Sequence, residues 1–243
     1  MDHEALQNHL KTEHGKTPLT DNLKEIVYGG IDGIITTFAV VAGFTGAMTM
    51  DSAMAIPTTV VLLFGLANLF ADGFSMGVSD FLSSRAEKKL FEKDHAKESY
   101  EIRTNEQYEY DESVDILMDH GFGKDDARQL ADIYKKNPKF WADFMMRYEL
   151  QQPRPDEKPS RGALVTFLSF VVFGLIPLLP YIFGVNSSNQ FLVACIAGAF
   201  ALAILGFFRA RITQERSYIS VLEIVGLGSV AGGIAFFVGT LFQ

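Results

Sequence analysis

Seven side chains in the middle of the chain have types and spacings suited to holding a metal ion. Glu98/Glu101 and Glu109/Glu112 are i, i+3 pairs, which share a helix face. The step from Glu98 to Glu109 is eleven residues, close to three helical turns. Met145 and Met146 precede Glu149 by four and three residues, so a thioether and a carboxylate can converge there. Clustered carboxylates repel one another unless a cation sits among them. Hard oxygens with a soft sulfur suit Fe²⁺, Mn²⁺, Co²⁺ or Zn²⁺ better than Mg²⁺ or Ca²⁺. The competing reading is a solvated acidic face backed by two core methionines.

A second set of carboxylates stands in apolar surroundings. Asp32 lies seven residues past Glu25, and Met76 nine before Arg85. At the helical rise both would sit roughly 10–14 Å deep from the ends of their segments, at similar heights. Asn68, Asp72, Met76 and Asp80 recur every four residues and form a slowly drifting stripe. Ionisable groups inside a membrane are costly and by default functional. Each Asp on the stripe can carry a divalent cation or a proton; the alternative is a polar seam satisfied by neighbouring helices. Glu223, seven residues past Arg216, can reach Arg216 or Arg209 at the interface or take part in the same pathway. Asp51 falls in a loop. His3, His9 and His14 are irregularly spaced on an N-terminal tail, where metal binding is a minor alternative.

These residues need helices to place them, and apolar runs of about 20 residues supply the spans. The runs are Ile26–Met50, Ala55–Ser83, Gly162–Phe183, Phe191–Phe208 and Ser217–Phe242. Residues 162–208 contain no Asp, Glu, Lys or Arg, and the polar turn 186–189 divides that stretch in two. Pro177 and Pro180 predict a kink or an end to the third span. Gly29/Gly33 and Gly228/Gly232 have the small-xxx-small spacing of close helix packing, within one chain or between two. The expected class is therefore all-α. It comprises a tail over 1–25, spans 1 and 2 over 26–83, a charged helical insert with its linker over 84–161, and spans 3 to 5 over 162–243.

Basic residues orient the chain. Lys11, Lys16 and Lys24 precede the first span, fifteen bases lie in 84–161, and Arg209, Arg211 and Arg216 follow the fourth. The positive-inside rule then places the N-terminus and the insert in the cytosol and the C-terminus on the other side. No basic stretch followed by an apolar run opens the chain, so no cleavable signal is expected. The insert predicts a helix from Lys88 to about Arg103, and then one opened by a Thr104/Gln107 capping box and ended at Gly121. A third covers Asp125–Lys136, and a fourth starts at Asn137-Pro138 and runs through Leu150. Residues 152–159, with three prolines, read as a stiff linker.

Composition and motifs weigh against several functions, with a membrane-anchored di-iron oxidase and a metal buffer or sensor kept as the alternatives. A net charge of -8 argues against nucleic-acid binding. The single Cys195 rules out an intramolecular disulfide or a zinc site built on several thiolates. A membrane-anchored di-iron oxidase would need a Glu-x-x-His on each of two helices, and only Glu92-x-x-His95 is present. A metal buffer or sensor that uses its spans only as an anchor has no need of intramembrane Asp.

Several separated motifs resemble the vacuolar iron transporter family. Tyr28-Gly-Gly-Ile-Asp32-Gly, followed by Phe38-Ala-Val-Val-Ala-Gly43, resembles its first span, and Ser75-Met76-Gly77 its second. Asp143-Phe-Met-Met-Arg-Tyr-Glu149 is similar to the end of its cytosolic metal-binding domain, and Gly174-Leu-Ile-Pro-Leu-Leu-Pro-Tyr181 to its third span. The resemblance covers about residues 22–242 in order. It implies a homodimer that exports Fe²⁺, and Mn²⁺ as well, from the cytosol in exchange for protons. No cofactor would be permanently bound; the divalent metal is the cargo. The family's membrane ligands fall on Asp32 and Met76, and its metal-domain ligands on Glu98, Glu101, Glu109, Glu112, Met145, Met146 and Glu149. One departure stands out: Asn68 occupies a position where a member of the family carries Glu, with Asp72 one turn nearer Met76. Asp72, Asp80 and Glu223 are then expected to exchange protons. Compact loops and short tails favour a bacterial inner membrane over a vacuolar one.

Overall fold

Long runs free of proline become helices in this chain, and proline marks several of their starts. The computed structural model describes residues 22–48, 57–155, 158–186 and 189–242, and among them every regular element is helical. Helix α1 covers Leu23–Met48, α2 Thr58–Thr104, α3 Glu106–Asp119, α4 Lys124–Tyr134 and α5 Pro138–Tyr148. Helix α6 covers Pro159–Gly174 and is followed by a 3-10 turn, Ile176–Leu178. The short α7, Leu179–Ile182, then leads to α8, Gln190–Thr213, and α9, Ser217–Thr240. Five segments are long and apolar enough to cross a membrane: α1, α2, Pro159–Ile182, α8 and α9. This is an all-α membrane protein. Asp51, His3, His9 and His14 lie outside the described residues.

The chain forms two compact units, Met1–Phe81 with Ser160–Gln243, and Leu82–Pro159. Helix α2 contributes to both. The sequence suggests separate helices for the second span and the start of the insert. Instead one helix of 47 residues runs through the boundary, because no Gly or Pro occurs between Gly77 and Thr104 to stop it.

In the larger unit the third span breaks where proline removes backbone donors. Helix α6 ends at Gly174, and Pro177 and Pro180 each open a new short element. The close approach of α1 and α6 needs a glycine: a Cβ at Gly33 would overlap the backbone carbonyl of Phe170. On α9, added carbons at Gly228 and Gly232 would collide with Leu202 of α8 and Phe38 of α1. Both small-residue pairs therefore serve packing within this chain. Two apolar clusters fill the interior, one around Ile34, Leu202, Leu205 and Ile224, the other around Val41, Val61, Leu178 and Tyr181. The opposite faces, such as Leu192, Ile196 and Phe200 on α8 and Leu227, Val230 and Ile234 on α9, are exposed. That is the pattern of helices solvated by lipid.

The smaller unit packs α3, α4, α5 and the end of α2 around Trp141, with Ile102, Val114, Leu117, Phe144 and Met145. Asn137 caps α5 as its sequence implies: its side chain accepts from the Phe140 N–H at 3.2 Å, and Pro138 is the first helical residue. Gly121 takes the left-handed conformation just past α3, with φ 94°. The Thr104/Gln107 capping box does not form. Thr104 Oγ1 instead donates back to the Tyr100 carbonyl at 3.0 Å, while Asn105 takes the cap position without a side-chain bond.

Candidate metal and transport sites

Three of the seven candidate ligands meet at one point. Helix α2 supplies Glu98, α3 supplies Glu109 in its first turn, and Glu149 caps the C-terminal end of α5. One carboxylate oxygen from each lies within 4.8 Å of the others. Glu98 and Glu109 are 3% and 4% exposed, a burial that carboxylates do not tolerate without compensation. Glu98 Oε1 and Glu149 Oε2 are buried and have no hydrogen-bond partner. Two orphaned acceptors beside a third carboxylate make a cradle that lacks positive charge.

Burial favours protons as the source of that charge. Burial pushes the Glu98 carboxyl up to about 8, helped by its hydrogen bond to Glu109 and by the charges of Glu149, Glu109 and Glu101. Burial likewise pushes Glu149 up to about 7, followed by the charges of Glu112, Glu109 and Glu101. Glu109 is raised by burial and held back by its bond from Glu98. Glu98 is thus the protonated donor and Glu109 the acceptor. Glu101 and Glu112 are half-buried and act on this group through their charges. Lys97 partly offsets them, bound to Glu101 at 3.4 Å.

The two methionines take different places. Met145 is fully buried in the core, and its sulfur accepts from Ser113 Oγ at 3.3 Å; Ser113 in turn accepts from Trp141 Nε1 at 2.7 Å. Met146 is also buried and lines a cavity of about 520 Å³ with Phe91, Asp143, Arg147 and Arg154. Residue types alone did not reveal this side of the unit. His95 Nε2 lies 3.2 Å from Asp143 Oδ1, Arg154 reaches the other Asp143 oxygen at 3.5 Å, and Gln152 donates to Asp94 at 2.7 Å. These contacts clasp the start of the linker to α2. His95 is thereby committed to Asp143, and the carboxylate group itself contains no histidine. A ferritin-like Glu-x-x-His site receives no support from this arrangement.

In the larger unit the stripe on α2 forms as the spacing requires. Asn68, Asp72, Met76 and Asp80 are all half-buried and run beside a fully buried row, Gly65, Leu69, Gly73 and Gly77. Asp32 on α1 is within electrostatic reach of Asp72. It opens onto a groove of about 540 Å³ that also carries Lys24, Tyr28 and Arg209. Asn68 lines a separate groove with Val40, Gly43 and Gly239. Asp80 Oδ2 accepts from Thr166 Oγ1 at 3.1 Å. Glu223 is paired with Arg209 at 3.1 Å, and Arg209 also reaches Glu215 at 3.5 Å. The interfacial pairing open to Glu223 is the one found, with Arg209 rather than Arg216. Two polar groups were not singled out by sequence: Glu25, whose Oε2 is buried without a partner, and the buried Thr166. Only their neighbours in space give them away.

Known proteins are similar in sequence over nearly the whole chain. The chain is 36% identical over 233 residues to a vacuolar iron transporter of Plasmodium falciparum (isolate 3D7), covering 92% of this chain and 83% of that protein. It is 31% identical to vacuolar iron transporter 1 of Oryza sativa subsp. japonica, covering 88% of this chain and 82% of the relative. Against vacuolar iron transporter 1 of Arabidopsis thaliana the identity is 29%, over 91% and 86%. The profile of the VIT family matches residues 23–240. With that match spanning nearly all of the chain, this chain belongs to the VIT family.

Proposed function

We propose that this protein transports Fe²⁺ out of the cytosol in exchange for protons, with Mn²⁺ as a second substrate, and that it works as a homodimer. The observation that carries this reading is the Glu98/Glu109/Glu149 group, buried, short of positive charge and partly protonated at neutral pH. A divalent cation entering the group replaces protons one charge for another, which is the elementary step of a metal/proton exchanger. Glu101, Glu112, Met145 and Met146 complete the ligand set of the insert. Met145 and Met146 supply the softer donors once the metal is bound, Met145 on release from Ser113.

Asp32 and Met76 then receive the ion within the spans. The Asp32–Asp72 juxtaposition supports this step, because two carboxylates in a low-dielectric setting hold a proton or a cation in preference to two bare charges. Asp72 and Asp80 carry protons along the stripe. Asn68 accepts or donates hydrogen bonds but cannot change its charge, so coupling shifts one turn along α2 to Asp72. Glu223, held by Arg209, lies at the edge of this pathway. The relatives' names, all vacuolar iron transporters, support the choice of cargo. The insert and the basic loops face the cytosol of a prokaryotic inner membrane on this reading.

The test is a flux assay in proteoliposomes under an imposed pH gradient. Wild-type protein should move Fe²⁺ faster when the receiving side is acidic and should carry protons the other way. Flux that ignores the gradient would remove proton exchange; no Fe²⁺ flux at all would remove transport.

A further inference from the structure

Three spans meet where α1 begins. Gly29 on α1 lies against α6 so closely that an added Cβ would come within 2.6 Å of the Thr166 carbonyl oxygen. Glu25 stands one turn before Gly29, and Gly162 one turn before Thr166. Over Gly162 two carboxylates arrive from different helices. Asp80 Oδ2 of α2 lies 3.6 Å from the position a Cβ would take, and Glu25 Oε1 of α1 lies 3.9 Å from the same point. The Asp80 oxygen resting there is the one that accepts from Thr166 Oγ1 at 3.1 Å. Thr166 is 2% exposed, and its backbone is held by Gly29, so the hydroxyl is presented from a rigid post.

From this geometry we infer that Thr166 is a positioning residue for transport: it aims the Asp80 carboxylate at the space over Gly162 that Glu25 shares. The inference rests on the transport reading above, in which Asp80 carries a proton. An aspartate on a long apolar helix has several rotamers, and a proton moves efficiently only between groups fixed in mutual reach. A single buried donor on the facing helix selects one rotamer.

The experiment compares Fe²⁺ flux in proteoliposomes for wild type, Thr166→Val, Thr166→Ser, Asp80→Asn and the Thr166→Val/Asp80→Asn double variant. Loss of the hydroxyl donor to Asp80 should slow flux about tenfold in Thr166→Val. Thr166→Ser, which keeps the hydroxyl, should restore it. On the Asp80→Asn background Thr166→Val should add nothing, since the residue acts through Asp80. A purely structural role would give the same loss on both backgrounds and no rescue by Ser, and would overturn the inference. So would a Thr166→Val protein as fast as wild type. Should Thr166→Val fail to fold, Thr166→Ala removes the same hydroxyl without adding bulk and must give the same pattern. A wild-type protein that moves no Fe²⁺ overturns the transport reading and this inference with it. Wild-type flux with an indifferent Thr166 overturns the inference alone.

Discussion

Glu98, six residues before the end of α2, donates a hydrogen bond to Glu109 in the first turn of α3, and both are almost wholly buried. The bond exists only while the pair holds a proton. On the transport reading proposed above, metal binding and proton release at the insert are two sides of one equilibrium.

That linkage has a sign. Glu98 and Glu149 titrate near about 8 and about 7, so at neutral pH an incoming cation must displace protons from the group. Apparent affinity of the purified protein for Fe²⁺ or Mn²⁺ should rise about tenfold per pH unit for each proton displaced, and level off once the group is ionised. Calorimetry in buffers of different ionisation enthalpy counts those protons. Affinity independent of pH across this window would contradict the assigned ligands.

Stability of the metal-free insert should run the other way. A carboxyl whose pKa is higher folded than unfolded binds more protons in the native state, so its stabilisation is complete below the unfolded value of 4.5 and is lost as pH rises through the folded value. The insert transition should fall between mildly acidic pH and about 8, and a divalent metal should restore it by mass action. Glu98→Gln keeps a donor for Glu109 without the ability to ionise. It should raise the metal-free melting temperature at alkaline pH by about 4 °C or more while weakening metal binding at least about tenfold.

Asp32→Asn separates the two units. It should cut Fe²⁺ flux by at least about tenfold and leave metal affinity at the insert unchanged, because all the insert ligands lie in the other compact unit. Parallel flux and binding measurements on one preparation check this. Equal loss in both would point to misfolding.

Gly33→Ala tests the close approach of α1 and α6. Its Cβ would overlap the Phe170 carbonyl, a backbone atom that cannot swing aside. Overpacking of this kind costs about 1–3 kcal/mol, read as a lower thermal midpoint in detergent. Gly233→Ala, whose added carbon meets nothing within 4 Å, is the matched control and should melt like wild type.

Ser113→Ala should destabilise the insert by about 1–3 kcal/mol, since it leaves the Trp141 N–H buried without an acceptor. It also frees the Met145 sulfur. Metal affinity normalised for stability should hold or improve, a combination that a denaturation curve and a titration would together reveal.

Much of the architecture was legible before any coordinate. Apolar runs marked the spans, Pro177 and Pro180 marked the break in the third, and Asn137-Pro138 marked the start of α5. The four-residue repeat of Asn68, Asp72, Met76 and Asp80 anticipated a stripe that is uniformly half-buried. Where helix boundaries were missed, two local preferences competed. Thr104 could cap α3 or bond back within α2, and it does the second.

Periodicity within one helix is a local property, so the sequence by itself determined which residues share a face: the i, i+3 glutamate pairs, the stripe on α2, and Met145 and Met146 ahead of Glu149. Meetings between helices are not local. That Glu98, Glu109 and Glu149 converge while Met145 turns to Ser113, that His95 is taken by Asp143, and that Glu25 and Asp80 share the space over Gly162 was decided only in three dimensions. The reason is physical. Rotation and crossing of packed helices are set by where bulky and small side chains interlock, as at Gly33 against Phe170, and no periodicity along a single helix encodes what its neighbour will present.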